Sequence, residues 1–454
     1  MKSHARTICL LTGTLIAAGC HSPRGGQLAG RLIAEVMTGS QLSNNLRALA
    51  VPGGRLSGSP NAAKAEQYVL DKLLEYGLSN VHFEAFRMTT WRDRSTEITV
   101  LGDPPQRLDV VQALGNSLST PPEGITGELV DVGKGTREEF EARKELLAGR
   151  FALAHYGDVH RARKMKYALQ HGALGLFHIS HIEDQVVVGT CHDTPDPAPG
   201  VAICLKDGEK LSRRLAVGET IRVNVKIDAD AWEASPRNVV GEIPGRGSHA
   251  DEIVVLCAHL DSWHLAEGAI DNGSGSAAIL EAARALVTVG PPPRRTIRFV
   301  WFMGEEHGLH GSEAYVEAHQ EELDRIVAVI NLDMPGEPRT FVTYGHPEAV
   351  EFLRAVRDAL PGYELSRNVR TSTGAFSDHA PFMRAGVCAL AIGGDCGPGV
   401  KHYHTAEDKY EAVDRRGLNG CAAVLSVLAR RLADADPAPT HRLASGVLAG
   451  QDGW

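Results

Sequence analysis

The chain has 454 residues and a formal net charge of −9, with 43% apolar and 23% charged residues. This length allows two or three domains with substantial cores, and the apolar and charged fractions are ordinary for a globular protein. Proteins that bind nucleic acids usually carry a basic patch or stripe, which this acidic chain does not show. We therefore expect no nucleic-acid partner.

The first residues have the features of an export signal. Lys2 and Arg6 precede the apolar run Ile8–Ala18, which is too short to span a bilayer as a stable helix. The run continues into Ala-Gly-Cys ending at Cys20, which resembles a bacterial lipoprotein signal that is cut before the cysteine. We predict an exported protein anchored by a lipid on Cys20 at the periplasmic or extracellular face of the cell envelope, with a plain secretory signal as the alternative. Residues 20–30 are predicted to form a flexible tether.

The other cysteines do not show the CxxC spacing of thiolate zinc sites. Those that follow Cys20 are Cys191, Cys204, Cys257, Cys388, Cys396 and Cys421. An oxidising compartment allows disulfides. The pairs predicted from closeness in the sequence are Cys191 with Cys204 and Cys388 with Cys396.

The first half of the chain is predicted to mix helices with strands. Apolar residues recur at helical spacing over Asn61–Tyr76, and Leu78–Val100 alternates as extended strands. A smaller module follows, with a β pattern over Gly200–Val225. Its other strands are predicted at Gly124–Val132, Phe151–His155 and Gly175–Ile179, and its helices at Arg137–Leu147 and Arg161–Gln170. Its histidines lack acidic partners at metal-binding intervals and are predicted to be surface or core residues: His155, His160, His171, His178, His181 and His192.

From about residue 236 the pattern becomes an alternation of strands and helices. The strands are predicted at Ile253–Cys257, Thr296–Phe302, Ile326–Leu332 and Ala385–Ile392, and the helices at Ser274–Val289, Ser312–His319, Ala349–Leu360 and Leu418–Ala433. This alternation indicates an α/β fold with a mixed, largely parallel sheet sandwiched by helices. The predicted segments are the signal (1–19), the tether (20–30), the N-terminal part of the main domain (31–114), the inserted module (115–232), the main domain (233–436) and a tail (437–454).

Acidic and histidine residues follow the predicted strands of the main domain. Ligands in open α/β sheets bind beyond the carboxyl ends of the strands, so these residues are expected to converge. They are His259, Asp271, Glu305, Glu306, Asp333 and His404. A lone His-x-Asp or Glu-Glu motif is weak, whereas several positions at one sheet edge favour a functional site.

The residue types at this edge fit zinc. Imidazole nitrogens and carboxylate oxygens are good zinc ligands, and two metals about 3.5–4 Å apart need a ligand that reaches both, such as Asp271. Adjacent Glu305 and Glu306 can divide two tasks, because one can bind metal while the other faces the substrate as a base. Asp261 can accept a hydrogen bond from the second ring nitrogen of His259 and orient it.

Five motifs together resemble the co-catalytic zinc aminopeptidase family, and within it the carboxypeptidase Q branch. They are His259-Leu260-Asp261-Ser262-Trp263, Gly268-Ala269-Ile270-Asp271-Asn272-Gly273, the segment from Gly304 to Ser312, Asn331-Leu332-Asp333-Met334 and His404-Thr405-Ala406-Glu407-Asp408. Arg55-Leu56-Ser57-Gly58-Ser59 is also similar to that branch, and the middle module resembles its smaller, β-rich protease-associated insert.

The resemblance implies two zinc ions per chain. One ion would be bound by His259 and Asp333 and the other by Glu306 and His404, with Asp271 bridging them. The choice of His404 instead of His402 rests on the Thr-x-x-Asp pattern that follows it. His402 could instead contact the substrate or a metal ligand.

The resemblance also implies a zinc exopeptidase that hydrolyses short peptides, with Glu305 as general base and Asp261 supporting the catalytic site. An aminopeptidase or dipeptidase is favoured, and a carboxypeptidase, a glutaminyl cyclase-like acyltransferase and a catalytically silent binding ectodomain are the alternatives. The complete ligand set argues against the last two. The oligomeric state stays open, with a homodimer as one option.

Several residues depart from the branch or have an open role. His264 stands where Asp is frequent, Asn272 follows the bridging residue where Asp is usual, and Pro335 follows Met334. Ala266-Glu267 replaces a pair similar to Gly-Thr. No departure removes a predicted ligand. Ser377-Asp378-His379 is interpreted as a helix cap or as part of the pocket wall.

Overall fold

The chain folds around two eight-stranded sheets. The computed structural model describes residues 23–157 and 159–443, so the predicted signal and Cys20 lie outside the described residues. The strand order is β1-β10-β12-β11-β13-β16-β14-β15 in the first sheet and β3-β2-β9-β5-β6-β7-β8-β4 in the second. The strands are β1 (Ser79–Ala85), β2 (Met88–Val100), β3 (Gln106–Leu108), β4 (Val111–Ala113), β5 (Ile125–Asp131), β6 (Phe151–His155), β7 (Gly175–Ile179), β8 (Gly200–Ile203), β9 (Arg222–Ala234), β10 (Arg237–Ile243), β11 (Ile253–His259), β12 (Thr296–Phe302), β13 (Ile326–Asn331), β14 (Glu337–Tyr344), β15 (Arg370–Ser372) and β16 (Ala389–Asp395).

Eleven α-helices occur among the described residues. None of them combines the length and the apolar character that crossing a bilayer would require. The helices are α1 (Pro23–Gly39), α2 (Leu42–Leu49), α3 (Pro60–Tyr76), α4 (Arg137–Leu147), α5 (Arg161–Gln170), α6 (Leu205–Ala216), α7 (Ser274–Thr288), α8 (His310–Ala318), α9 (Ala349–Asp358), α10 (His379–Arg384) and α11 (Arg415–Asp434).

The first sheet is mixed and parallel at its centre. Strand β11 pairs in parallel with β12 and β13, and β13 pairs in parallel with β16. Every residue of β11 is buried, as expected for a strand that is covered on both faces. Helices α7 and α11 pack on one face, and α8 and α10 cover the other. The predicted sandwich of helices around a largely parallel sheet is confirmed.

The beginning of the described chain differs from the predicted tether. Residues 23–39 form α1 instead of a flexible segment. Ala29, Leu32 and Val36 are buried in the main core, where α1 contacts α7 and α11. The spacing of these apolar side chains places them on one face of a helix, and burial of that face stabilises it.

The second sheet has a long antiparallel pair at one side and parallel strands at the other. Strands β2 and β9 pair along almost their whole length, and β5 to β8 pair in parallel beside them. The residues of β2, β3 and β4 already belong to this sheet, so the predicted boundary at residue 115 falls inside it. The predicted β pattern over Gly200–Val225 is wrong in its middle, where α6 buries Leu211 against the sheet.

The two sheets share a hydrophobic contact. Leu56 and Trp263, which flank the first sheet, belong to the apolar cluster of the second sheet. The rings of Trp263 and Trp91 meet edge to face with their centroids 6.5 Å apart. Gly115 allows this contact, because a Cβ on it would come within 2.7 Å of the Trp263 ring.

The predicted disulfides are not formed. All six cysteines between Cys191 and Cys421 are free. The thiol of Cys191 lies 3.4 Å from a serine hydroxyl, and the thiol of Cys396 donates to a backbone carbonyl 2.8 Å away. Cys204 and Cys388 are buried at other positions. Closeness in the sequence did not bring the sulfur atoms together, because intervening elements direct them to different neighbours.

The predicted C-terminal tail (437–454) is described as far as residue 443. The Thr440 hydroxyl donates to the carbonyl of Val327, and the Leu443 amide donates to the carbonyl of Gly386 at 2.8 Å. The first residues of the tail therefore pack against the first sheet.

Candidate metal centre

The candidate site lies at the carboxyl ends of the central parallel strands. His259 is the last residue of β11, and Asp333 follows the end of β13 by two residues. Glu305 and Glu306 occupy the loop after β12. Parallel strands end at the same edge of a sheet, which explains why these residues converge.

Asp271 lies between the two histidines. One of its carboxylate oxygens is 3.1 Å from His259 Nε2, and the other is 3.1 Å from His404 Nε2. The residue belongs to an irregular turn before α7, and its peptide bond to Asn272 is cis. Because its two oxygens contact different histidines, the Asp271 carboxylate reaches both halves of the site.

Two groups of potential metal ligands share this edge. His259, Glu305 and Asp333 form one group, and Asp271, Glu306 and His404 form the other. Within each group the ligand atoms all lie within 4.8 Å of one another. His259 Nε2 is 3.5 Å from Asp333, and His404 Nε2 is 3.1 Å from Glu306. The structure thus brings together all six residues that the sequence predicted here. His402, by contrast, does not line the pocket.

Asp261 supports the site in a different way from the prediction. The nearest acceptor for His259 Nδ1 is the backbone carbonyl of Asp261 at 3.1 Å, whereas the side-chain carboxylate of Asp261 is 3.6 Å away. That carboxylate accepts the backbone amides of Glu305 and Glu306 at 3.2 and 3.4 Å, and the hydroxyl of Ser57 at 3.1 Å. Asp261 therefore fixes the loop that carries both glutamates.

A segment of the second sheet's layer also contacts the site. The carbonyl of Val188 lies 2.9 Å from His404 Nδ1, and the amide of Val188 donates to the carbonyl of His404 at 3.0 Å. The hydroxyl of Thr190 donates to the carbonyl of Glu306 at 2.6 Å. These contacts could not be predicted from the sequence, because more than one hundred residues separate the partners.

Hydrogen bonds with two other residues hold the turn that carries Asp271. The carboxylate of Asp408 accepts the amides of Ile270 and Asp271 at 2.6 and 3.1 Å. Fully buried Arg55 donates to backbone carbonyls that surround this turn, and burial lowers its pKa to about 10. The carbonyls belong to Leu49, Leu260, Glu267 and Gly268. Asp408 and Arg55 lie in the motifs that carried the family resemblance, although their roles were not predicted.

Two departures from the family pattern have local partners. Asn272 Nδ2 donates to the carbonyl of Leu332 at 2.9 Å, a contact that a carboxylate could not make. His264 Nε2 lies 2.9 Å from the carboxylate of Asp93 on β2. His264 thereby links the loop after β11 to the second sheet.

The chemistry of these residues fits a cation at each group. His259 Nε2 and Glu306 Oε1 are buried and have no hydrogen-bond partner among the described residues. Burial and the charge of Asp271 raise the pKa of Glu306 to about 7. The pKa of His404 is raised to about 9 although burial disfavours its charged form, because Glu306 and Asp271 face it. Positive charge is therefore strongly favoured between these side chains.

A pocket of about 350 Å³ opens beside the two groups. Ser377 and His379 line it, as one of the two interpretations of this segment predicted. Asp378 between them is buried, and burial raises its pKa to about 7. Aromatic and apolar side chains complete the wall: Met334, Tyr344, Phe376, Ile392 and Tyr403.

The sequence model of peptidase family M28 matches residues 238–429, a range that contains all six residues of the two groups. Carboxypeptidase Q from Rattus norvegicus is 30% identical over 394 residues, which cover 84% of this chain and 83% of the relative. The similarity therefore extends across both sheets.

Solved structures share the fold of this chain. The Peptidase M28 precursor from Shewanella amazonensis has the same fold, with a TM-score of 0.82 at 24% identity, covering 93% of this chain and 99% of that one. BSAP, a zinc aminopeptidase from Bacillus subtilis, has a TM-score of 0.66 at 25% identity, covering 91% and 98% of the two chains. The chain therefore belongs to peptidase family M28 and is a metallo-exopeptidase.

Proposed function

We propose that the chain is a two-zinc exopeptidase that hydrolyses short peptides with a free amino terminus, as an aminopeptidase or a dipeptidase. The observation that carries the two-ion proposal is the position of Asp271, whose two oxygens each lie 3.1 Å from a different histidine. A carboxylate in this position can bridge two metals about 3.5–4 Å apart.

The proposed ligands divide between the two ions. His259 and Asp333 would bind one zinc, Glu306 and His404 would bind the other, and Asp271 would be shared by both. Two imidazoles and three carboxylates suit zinc, and BSAP, which has the same fold, is a zinc aminopeptidase. When bound, the two zinc ions polarise the scissile carbonyl and lower the pKa of the attacking water.

Glu305 is the proposed general base. Its carboxylate takes the proton of the attacking water and passes it to the leaving amine nitrogen. Burial, together with the nearby charges of Asp333 and Glu306, raises the pKa of Glu305 well above its usual range, which makes it a stronger base. The Asp261 carboxylate accepts a hydrogen bond from the Glu305 amide and so positions the Glu305 side chain.

The pocket supports a small substrate. Its volume of about 350 Å³ lies near the lower end of the range of about 300–1,000 Å³ that is typical of ligand pockets. Tyr344, Phe376 and Ile392 offer apolar surface for a side chain next to the cleaved bond. Carboxypeptidase Q is named for action at a carboxyl terminus, and BSAP is named as an aminopeptidase. For this chain we favour recognition of the amino terminus of the substrate.

The proposed location is the periplasmic or extracellular face of a bacterial cell envelope. The support is the sequence of the first twenty residues, which combines a basic start, a short apolar run and a cysteine after Ala-Gly. A lipid on Cys20 would anchor the protein, and Cys20→Ser should release it from the membrane fraction after extraction with salt.

The central test measures metal and turnover together. The mature protein is analysed for bound metal and is then assayed with free and amino-blocked dipeptides, before and after chelation. We expect about two zinc ions per chain and chelator-sensitive cleavage of the free-amino peptides only. Efficient cleavage of blocked peptides would instead support a carboxypeptidase, and two bound metals with no peptide hydrolysis would contradict the proposed substrate.

A further inference from the structure

The pocket beside the metal centre contains an arginine from the second sheet's layer. Arg161 is the first residue of α5, and it lines the same cavity as Asp271, Glu306 and Asp333. No other lysine or arginine lines this cavity in the part of the chain that the structure describes. A permanent positive charge therefore faces the space in which the substrate is expected.

The guanidinium of Arg161 has a buried donor without an acceptor among the described residues. Its Nε is buried and makes no hydrogen bond, and no carboxylate among residues 23–157 and 159–443 forms an ion pair with it. A buried donor without an acceptor costs free energy. The planar guanidinium fork matches the geometry of a carboxylate and can bind it through two hydrogen bonds.

The position of this guanidinium is linked to the metal ligands by a single segment. A Cβ on Gly189 would lie 1.5 Å from an Arg161 guanidinium nitrogen, so the guanidinium packs directly against the backbone of Gly189. The neighbours of Gly189 are Val188 and Thr190, whose backbone and hydroxyl contact His404 and Glu306. Arg161 therefore packs against the segment that contacts two of the proposed metal ligands.

We propose that Arg161 binds the free α-carboxylate of the substrate and so makes the enzyme selective for dipeptides. The inference rests on the proposed function, because it assumes that the scissile carbonyl lies at the metal centre. In a dipeptide the carboxylate is only one residue beyond that carbonyl, which suits a cavity of about 350 Å³. Hydrolysis consumes one water, breaks the single peptide bond and releases two amino acids, of which the carboxyl-terminal one leaves from Arg161.

The test compares leucyl-alanine with leucyl-alanine amide, which share the free amine and the scissile bond. We expect kcat/KM of the wild type to favour the free acid by about 10- to 100-fold, the factor that a charge-assisted hydrogen-bonded pair supplies. Arg161→Met should remove this preference by lowering the rate for the free acid while leaving that for the amide unchanged. Arg161→Lys should retain part of it, since an ammonium keeps the charge without the fork.

Arg163→Met is the matched control. Arg163 lies on the same helix but lines a different cavity, so this variant should keep the preference of the wild type. Equal rates for acid and amide in the wild type would overturn the role of Arg161 while leaving the exopeptidase intact. Equal losses for both substrates in Arg161→Met would also overturn it and would indicate a structural role. If the zinc-loaded wild type cleaved neither substrate, the proposed function itself would fail.

Discussion

Asp271 and Glu305 both place a carboxyl group at the same sheet edge and are proposed to perform different tasks. Asp271 contacts both histidines, whereas Glu305 makes no ion pair with either of them in the described structure. The pKa of Asp271 is lowered despite its burial, because His259 and His404 stabilise its ionised form, whereas that of Glu305 is raised. A ligand that stays ionised and a base that readily takes a proton are the properties that the two tasks require.

Glu305→Gln should keep the fold and both zinc ions while lowering kcat by about 100- to 10,000-fold, the usual contribution of a general base. The amide has nearly the same shape as the carboxylate but cannot accept the proton of the attacking water. The measurement is kcat at saturating substrate, together with the zinc content of the same sample.

Asp271→Ala is the comparison for that variant. It removes the carboxylate that faces both histidines, so zinc content and activity should fall together. A Glu305→Gln protein with nearly normal turnover would show that another group is the base. A loss of zinc from Glu305→Gln would show that Glu305 is a ligand.

The six residues of the candidate metal centre could be grouped from the sequence, because each follows a strand or belongs to a short motif. Arg161 and Thr190 were not predictable, since their partners become neighbours only after the second sheet packs against the first. The orientation of the Asp261 side chain was also not predicted. Sequence order allows its carboxylate to reach His259, but the folded loop turns it towards the amides of Glu305 and Glu306.

At the scale of elements, the predictions succeeded where local pattern and burial agree. Strands β6, β7 and β12 have the predicted bounds. Their side chains are almost all buried, and a clear turn ends each strand. Helix α6 was missed, since its few buried residues are separated by exposed charges. Helix α1 was missed because an isolated amphipathic segment gains its stability from packing against distant elements.

Charged side chains also join elements of the first sheet. Arg298 on β12 forms ion pairs with Glu242 on β10 and with Glu322 in the turn before β13, each at 2.6 Å. His319 lies 3.0 Å from the same Glu322 carboxylate. Burial opposes ionisation of Glu322, but Arg298 and His319 lower its pKa to about 2.

This depressed pKa predicts a pH-dependent contribution to stability. The contribution is present above the unfolded pKa of about 4.5 and is lost as the pH falls towards about 2. Glu322→Gln should therefore lower the free energy of unfolding at pH 7, and its difference from the wild type should shrink between pH 4.5 and pH 2. Urea unfolding of both proteins across this range measures the difference. A difference that is independent of pH would show that the ion pairs do not stabilise the fold.

At the scale of the whole molecule, the candidate metal centre lies where the two sheets meet. The first sheet supplies the proposed ligands, and the layer of the second sheet contacts two of them through Val188 and Thr190. The loop after β11 is held against the second sheet by Trp263 and His264. Binding of metal should consequently stabilise both parts together.

Chelation is expected to lower the melting temperature of the whole protein. Ligands that bind only the folded state stabilise it by about 4 kcal/mol when their free concentration is about 1,000 times Kd. Calorimetry with and without chelator, followed by addition of zinc, measures the loss and its recovery. Magnesium in place of zinc serves as the control. An unchanged transition after verified removal of the metal would contradict the coupling between the centre and the fold.

The contact between Val188 and His404 joins residues that are 216 positions apart in the sequence. During synthesis the second sheet leaves the ribosome long before His404, and α11, which is buried through the main core, is made later still. A chain that ends before His404 would contain Arg161 and the other five residues of the two groups, and we expect it not to cleave a peptide.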